Sequence, residues 1–387
     1  MQHPTAYSGS TSPSRHCRSN SRSVLSSRGI TGHYRTCVSG LSIPLLVVVF
    51  VAGAVATWIA GLYLSKTTDA LDARLGLGEA LGGLILLAIA GTLPEIAIVA
   101  SAALGGHLDL AVGNLIGGVA IQTLVLVVLD LAAGPQRPLS FLVGSLVPVL
   151  EALLVVVVLA TVLGGAALPA STSIGGVSPT SIAVVVFWLL GVWVVNHVRL
   201  HADWKVEMPG GRPGRTHARR RQPEEPHSYT GSSTAIVALL FAAASAVTLG
   251  AGVALQESGN VLAGRMHLQG AIFGATVLAA ATALPEISSG IAAVRLGDHQ
   301  LAVGDILGGN SFQITLFLLA DVLAGTPVIV AARHSDVWLG GAGLLMTGIA
   351  AAAIIARPKR TFLWLGIDSI ALVVIYAGVI ALLPQVT

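Results

Sequence analysis

The 387-residue sequence predicts an all-α polytopic membrane protein, with ten transmembrane helices forming two inverted five-helix repeats and proline-broken helices at the midplane. Three observations carry that prediction. Hydrophobic residues make up 54% of the chain and charged residues only 10%, with a mean hydropathy of +0.83; a soluble domain carries about 25% charged residues. Several nearly uncharged runs reach the roughly twenty residues that a helix needs to cross the hydrocarbon core. The chain also repeats itself. Residues 90–96 (Ala-Gly-Thr-Leu-Pro-Glu-Ile) match residues 281–287 (Ala-Thr-Ala-Leu-Pro-Glu-Ile), and residues 110–118 match 301–309, each at an offset of 191. The same offset relates Gln122 to Gln313 and Asp130 to Asp321.

Residues 1–40 are rich in Ser, Arg and Gly and contain no acid, which predicts a disordered tail. Cys17 and Cys37 both fall there, without metal-ligand or Cys-x-x-Cys spacing, and read as idle thiols. The expected spans are 41–64, 76–104, 108–133, 139–163 and 179–198, then 233–255, 267–295, 299–324, 335–356 and 361–384. Between the fifth and sixth, residues 199–233 hold Arg219, Arg220 and Arg221, several prolines, and Glu224 with Glu225, the composition of a polar loop. The chain thus divides into a tail, a first repeat at 41–198, a linker at 199–233 and a second repeat at 234–387.

Five spans per half is an odd number, so the second half enters the membrane from the opposite side. Placing the linker in the cytoplasm gathers Lys66, Arg74, Arg137, Arg295, Arg357, Lys359 and Arg360 there with the linker's own basic residues. The other face keeps Arg265 and Arg333, apart from the tail's arginines. Loop charge sets orientation, which favours linker inside and both termini outside. The expected location is a membrane, taken as the bacterial inner membrane, with lipid as the surrounding partner.

Each repeat sets an ionisable Glu beside a helix-breaking Pro in an apolar segment, a costly combination in lipid that points to an ion pathway. Pro94 and Pro285 lack an N–H and disturb the preceding turn. Carbonyls near Ala90, Gly91 and Thr92, and near Ala281 to Ala283, then need partners in a dry setting. Glu95 and Glu286 add carboxylates, and Thr92 and Thr282 add hydroxyls. Such an all-oxygen set suits Ca²⁺ or Na⁺ rather than soft metals. Gly113, Gly117 and Gly118, with Gly304, Gly308 and Gly309, flatten one face of the next span for close helix approach. Gln122 and Gln313 lie one turn further along that face, as ligands or as interhelical hydrogen-bonders.

These segments resemble the α-repeats of the cation/Ca²⁺ exchanger superfamily, which includes the sodium/calcium exchanger family and its proton-coupled relatives. The matching residues are Gly91-Thr92-Leu93-Pro94-Glu95 and Gly113-Asn114-Leu115-Ile116-Gly117-Gly118 in the first copy. In the second they are Thr282-Ala283-Leu284-Pro285-Glu286 and Gly304-Asp305-Ile306-Leu307-Gly308-Gly309-Asn310-Ser311-Phe312-Gln313. The resemblance implies that Glu95 and Glu286 bind the transported cation, helped by Gln122 and Gln313, with Thr92 and Thr282 standing for family hydroxyls. Ala283, Gly118 and Gly309 replace other hydroxyls, which weakens the case for a full set of sodium sites. Two carboxylates neutralise one Ca²⁺, and protonating both would release it in an electroneutral exchange.

The expected activity is therefore Ca²⁺ antiport against H⁺ or Na⁺ by alternating access, with no cofactor, nucleic acid or obligate protein partner. Another cation (Na⁺/H⁺, Mg²⁺ or Mn²⁺) is the alternative. Gly304-Asp305 distantly suggests an intramembrane aspartyl protease, but position 302 is Ala and no Tyr-Asp partner falls in a span. Secondary candidates are Asn114, Asp305, Asn310 and Glu151. Asp305 reads equally as an entrance carboxylate or a solvated helix start, and Glu151, near the middle of the fourth span, as a proton carrier or the partner of a polar group. Asp130 and Asp321 are expected at the interface.

Overall fold

Helices follow the apolar runs, and α-helical segments end at Gly106, Gly134 and Gly325. The computed structural model describes residues 38, 40–75, 91–169, 172–201 and 232–386. Nearly all of the expected tail and of the linker, and the part of the second span before Gly91, lie outside the described residues. In order come α1 (Ile43–Leu75), α2 (Leu93–Gly105), α3 (Leu108–Ala133), α4 (Leu139–Leu142), α5 (Val147–Gly165) and α6 (Pro179–His201). Then follow α7 (Thr234–Arg265), α8 (Gly270–Phe273), a π-helical turn (Gly274–Leu278), α9 (Ala279–Thr282), α10 (Leu284–Arg295), α11 (His299–Ala324), α12 (His334–Ala356), the β1–β2 hairpin (Thr361–Phe362, Leu365–Gly366) and α13 (Ile367–Val386).

Among the described residues, eight helices are long and apolar enough to cross a membrane, and the pair Gly270–Thr282 and Leu284–Arg295, bent by 41°, brings the number to nine. The apolar α2 is shorter, at 13 residues. Four expected boundaries change. The first span runs eleven residues past 64, to Leu75. The fourth span is not continuous: the chain breaks between α4 and α5, where Gly144 takes φ +61° and Pro148 starts a new helix. Glu151 is therefore the fifth residue of α5, near its beginning rather than mid-span. The tenth span starts only at Ile367, because residues 361–366 form the hairpin. The sixth span runs ten residues past 255, to Arg265.

Two cores hold the bundle. The larger apolar clusters join α3, α5, α11 and α12, with Phe317, Leu115, Ile116, Leu129 and Leu159 fully buried. Beside them α1 and α7 run along each other, and Arg265 at the end of α7 donates to the Leu41 carbonyl just before α1, so the pair is antiparallel. This pair touches both broken helices through glycine. A Cβ on Gly61 of α1 would lie 2.8 Å from the Pro285 Cβ, and one on Gly252 of α7 would lie 2.9 Å from the Pro94 carbonyl oxygen. Gly61 and Gly252 are themselves repeat mates at the 191 offset.

Asp130 and Asp321 are buried, not exposed at an interface. Asp130 accepts from Leu139 N at 2.6 Å, Gly366 N at 2.7 Å and Ser369 Oγ at 2.6 Å. Asp321 accepts from Val328 N at 2.6 Å, Ser178 N at 2.8 Å and Ser181 Oγ at 2.7 Å. Each carboxylate thus fixes the turn after its own helix and the start of a helix from the other half of the chain. Charge-assisted bonds of this kind are the strong ones.

Candidate cation site

The site grows from the two breaks. Pro94 and Pro285 occupy the first turns of α2 and α10, which makes Glu95 and Glu286 the third residue of each helix. A helix N-terminus offers unpaired N–H groups and the positive end of its dipole, a favourable place for a carboxylate. Each carboxylate lies near its own backbone N–H. The two carboxylates come close enough for their charges to act on one another. Glu95 is fully buried, and Glu286 is half-buried.

Neighbours from both halves complete the site. Gln122 Nε2 donates to Glu95 Oε1 at 3.4 Å. The Thr282 hydroxyl reaches the same carboxylate and also the Ala279 carbonyl at 3.1 Å; with one proton it serves one of them at a time. Thr92 is buried at the first break, whereas Gly91 just before it is exposed. The freed-carbonyl expectation narrows, because Thr92 O accepts from Ile96 N and Ala283 O from Ile287 N. Those two carbonyls belong to the new helices.

Gln313 fills a different place from Gln122. Its Nε2 donates to the carbonyls of Asn114 at 3.0 Å and Leu115 at 3.1 Å, an interhelical bond across α3 and α11. A Cβ on Gly118 would lie 2.5 Å from that nitrogen, so the glycine is what admits the amide. Asn310 Nδ2 donates to Thr123 Oγ1 at 3.2 Å. As α11 advances from 310 to 313, its partners on α3 fall from 123 to 114, so the two helices cross antiparallel. Gly113 and Gly117 meet the other broken segment: a Cβ would lie 2.2 Å from Ala271 O and 2.1 Å from Ala275 Cβ, respectively.

Among the described residues, Glu95 Oε2, Glu286 Oε2 and Gln313 Oε1 are buried without a hydrogen-bond partner. So are Asn310 Oδ1 and both side-chain polar atoms of Asn114. An uncompensated buried carboxylate costs several kcal/mol. Two such oxygens beside an amide and a hydroxyl make an all-oxygen donor set, the preference of a hard cation.

A family model described as sodium/calcium exchanger protein matches residues 45–197 and 236–383. The chain belongs to the sodium/calcium exchanger protein family. Its members are membrane antiporters rather than enzymes. The inner membrane protein YrbG of Escherichia coli (strain K12) is 34% identical over 80 residues, 21% of this chain and 23% of that relative. Among solved structures, native YfkE superposes with TM-score 0.60 at 14% identity, covering 90% of this chain and 99% of that one. The H⁺/Ca²⁺ exchanger CAX superposes with TM-score 0.56 at 13% identity, covering 92% and 95%. Those two likenesses show the fold.

In this exchanger-family chain a further buried polar group escaped the sequence reading. Ser101 Oγ of α2 donates to Gln256 Oε1 at 2.7 Å and lies 3.4 Å from Glu257 Oε1, both on α7, and Asn260 meets His107 at 3.1 Å. The sixth expected span stops at residue 255, just short of Gln256, Glu257 and Asn260. A signal existed: the polar run Gln256-Glu257-Ser258 aligns at the 191 offset with Ser65-Lys66-Thr67.

Proposed function

We propose that this protein is a secondary antiporter exchanging Ca²⁺ for H⁺ or Na⁺ by alternating access at a single midplane site. The observation that carries the reading is the pairing of Glu95 and Glu286, each in the first turn of a helix that opens on Leu-Pro-Glu and each with a buried unpaired oxygen. Glu95 and Glu286 bind the cation through their carboxylates. Thr282 and Gln313 add oxygens, Gln122 orients Glu95, and Thr92 and the Gly91 carbonyl border the site. Together the two carboxylates carry the charge that balances one Ca²⁺. Two protons, or two Na⁺ on the same oxygens, then displace it with no net charge moved. Asn114 of α3 and Asn310 of α11 are further buried polar groups in the same bundle, each with a side-chain oxygen left unpaired among the described residues.

The chain divides into two inverted five-helix halves, 41–198 and 234–387, about the linker. The antiparallel crossings of α1 with α7 and of α3 with α11 support this, as do the cross-half bonds of Asp130 and Asp321. Arg137 and Arg357 both lie over the Phe141 ring, at 4.8 and 4.7 Å, and so share a face. That face is cytoplasmic in the linker-inside orientation, and the inner membrane is the setting, as for the Escherichia coli relative. Purified protein in liposomes tests the reading. Ca²⁺ uptake should follow an imposed pH or Na⁺ gradient, and the larger of the two responses identifies the counter-ion; uptake under neither excludes Ca²⁺ antiport.

A further inference from the structure

We propose that Glu151, Asp305 and Ser289 form a second, peripheral station for the transported divalent cation, set between the central pair and the face at which α5 and α11 begin. The inference rests on the central pair being the transport site. Ser289 lies three residues after Glu286 on α10, about 4.5 Å along the helix. Its hydroxyl donates to Asp305 Oδ2 of α11 at 2.8 Å. The Asp305 charge acts on Glu286 on one side and on Glu151 on the other. A continuous line of acids therefore leads outward from the central site.

Glu151 supplies the observation that points to a ligand. Its Oε2 is buried and has no hydrogen-bond partner among the described residues. A Cβ on Gly304 would lie 3.0 Å from that oxygen, so the carboxylate is aimed at α11 beside Asp305. The glycine makes room for it. Arg199 at the end of α6 also acts on Glu151, but its side chain is exposed. Two carboxylates and a hydroxyl are hard-oxygen donors, as Ca²⁺ requires. The station is one-sided: at the 191 offset Glu151 pairs with Ala342, Asp305 with Asn114 and Ser289 with Ile98. A cation arriving at this face meets charge before it meets the central site, which raises its local concentration there.

The test is Ca²⁺ exchange measured from each face, using right-side-out and inverted membrane vesicles, for the wild type, Glu151→Gln and Asp305→Asn. From the α5–α11 face, each variant should raise the KM for Ca²⁺ by about threefold to tenfold with the maximal rate kept. That rise should shrink in high salt, where surface charge is screened. From the opposite face the KM should stay at the wild-type value, which also controls for folding. An unchanged KM at the α5–α11 face, or an equal shift at both faces, overturns the station while leaving the central site intact. A wild type that exchanges no Ca²⁺ overturns the central reading and this one with it.

Discussion

Two carboxylates in an apolar bundle need a reason to be there, and Glu95 and Glu286 have one in each other's company. Neither has a basic partner among the described residues, and each keeps one oxygen unpaired. Replacing either with Gln should cut Ca²⁺ exchange to the level of empty vesicles while leaving the amount of folded protein unchanged. A structural carboxyl would instead tolerate the amide. Thr282 makes a smaller contribution. Removing its hydroxyl with Thr282→Ala forfeits one hydrogen-bonding group, about 1 kcal/mol, so the KM for Ca²⁺ should rise about fivefold at constant maximal rate. At this scale the sequence was informative because the Leu-Pro-Glu repeats were conspicuous in apolar surroundings. It could not separate the two glutamines: Gln122 reaches a carboxylate, whereas Gln313 spends its N–H₂ group on the carbonyls of Asn114 and Leu115.

At the scale of elements, glycine decides how closely helices meet. Gly117 stands where Ala275 of the π-helical turn needs space, so Gly117→Leu should lower the thermal midpoint of the detergent-solubilised protein sharply and abolish exchange. A Cβ on Gly308, its repeat mate, would meet no atom of a neighbouring element within 4 Å among the described residues. Asp130 and Asp321 provide a complementary prediction. Each anchors three donors, and an Asn in either place loses the charge and one acceptor oxygen; a cost of about 2–4 kcal/mol follows from charge-assisted bonds. Thermal unfolding in detergent checks it, with the two variants expected to fall alike. Apolar periodicity placed most spans correctly but erred where backbone geometry, not hydropathy, sets the boundary. Gly144 and Pro148 split the fourth span, and α7 carries Gln256 and Glu257 inside the fold because helix continues through them.

For the whole molecule, the repeat offset foretold a relation that packing expresses in detail: Gly61 rests on Pro285 and Gly252 on Pro94, each half gripping the other's break. The sequence shows the repeat, but not which surfaces its copies share, since that depends on contacts such as Gly252–Pro94 and Gly61–Pro285, between residues 158 and 224 positions apart. The orientation has its own test. With Cys17 and Cys37 replaced by Ser, a membrane-impermeant maleimide applied to intact cells should label Arg333→Cys and spare Arg199→Cys. The reverse pattern would invert the topology without disturbing the site. Equilibrium binding of radioactive Ca²⁺ to the purified protein bears most directly on the central claim that both carboxylates hold one ion. One high-affinity Ca²⁺ per chain is expected, lost in Glu95→Gln and in Glu286→Gln alike; full-strength binding in either variant would contradict a shared carboxylate site.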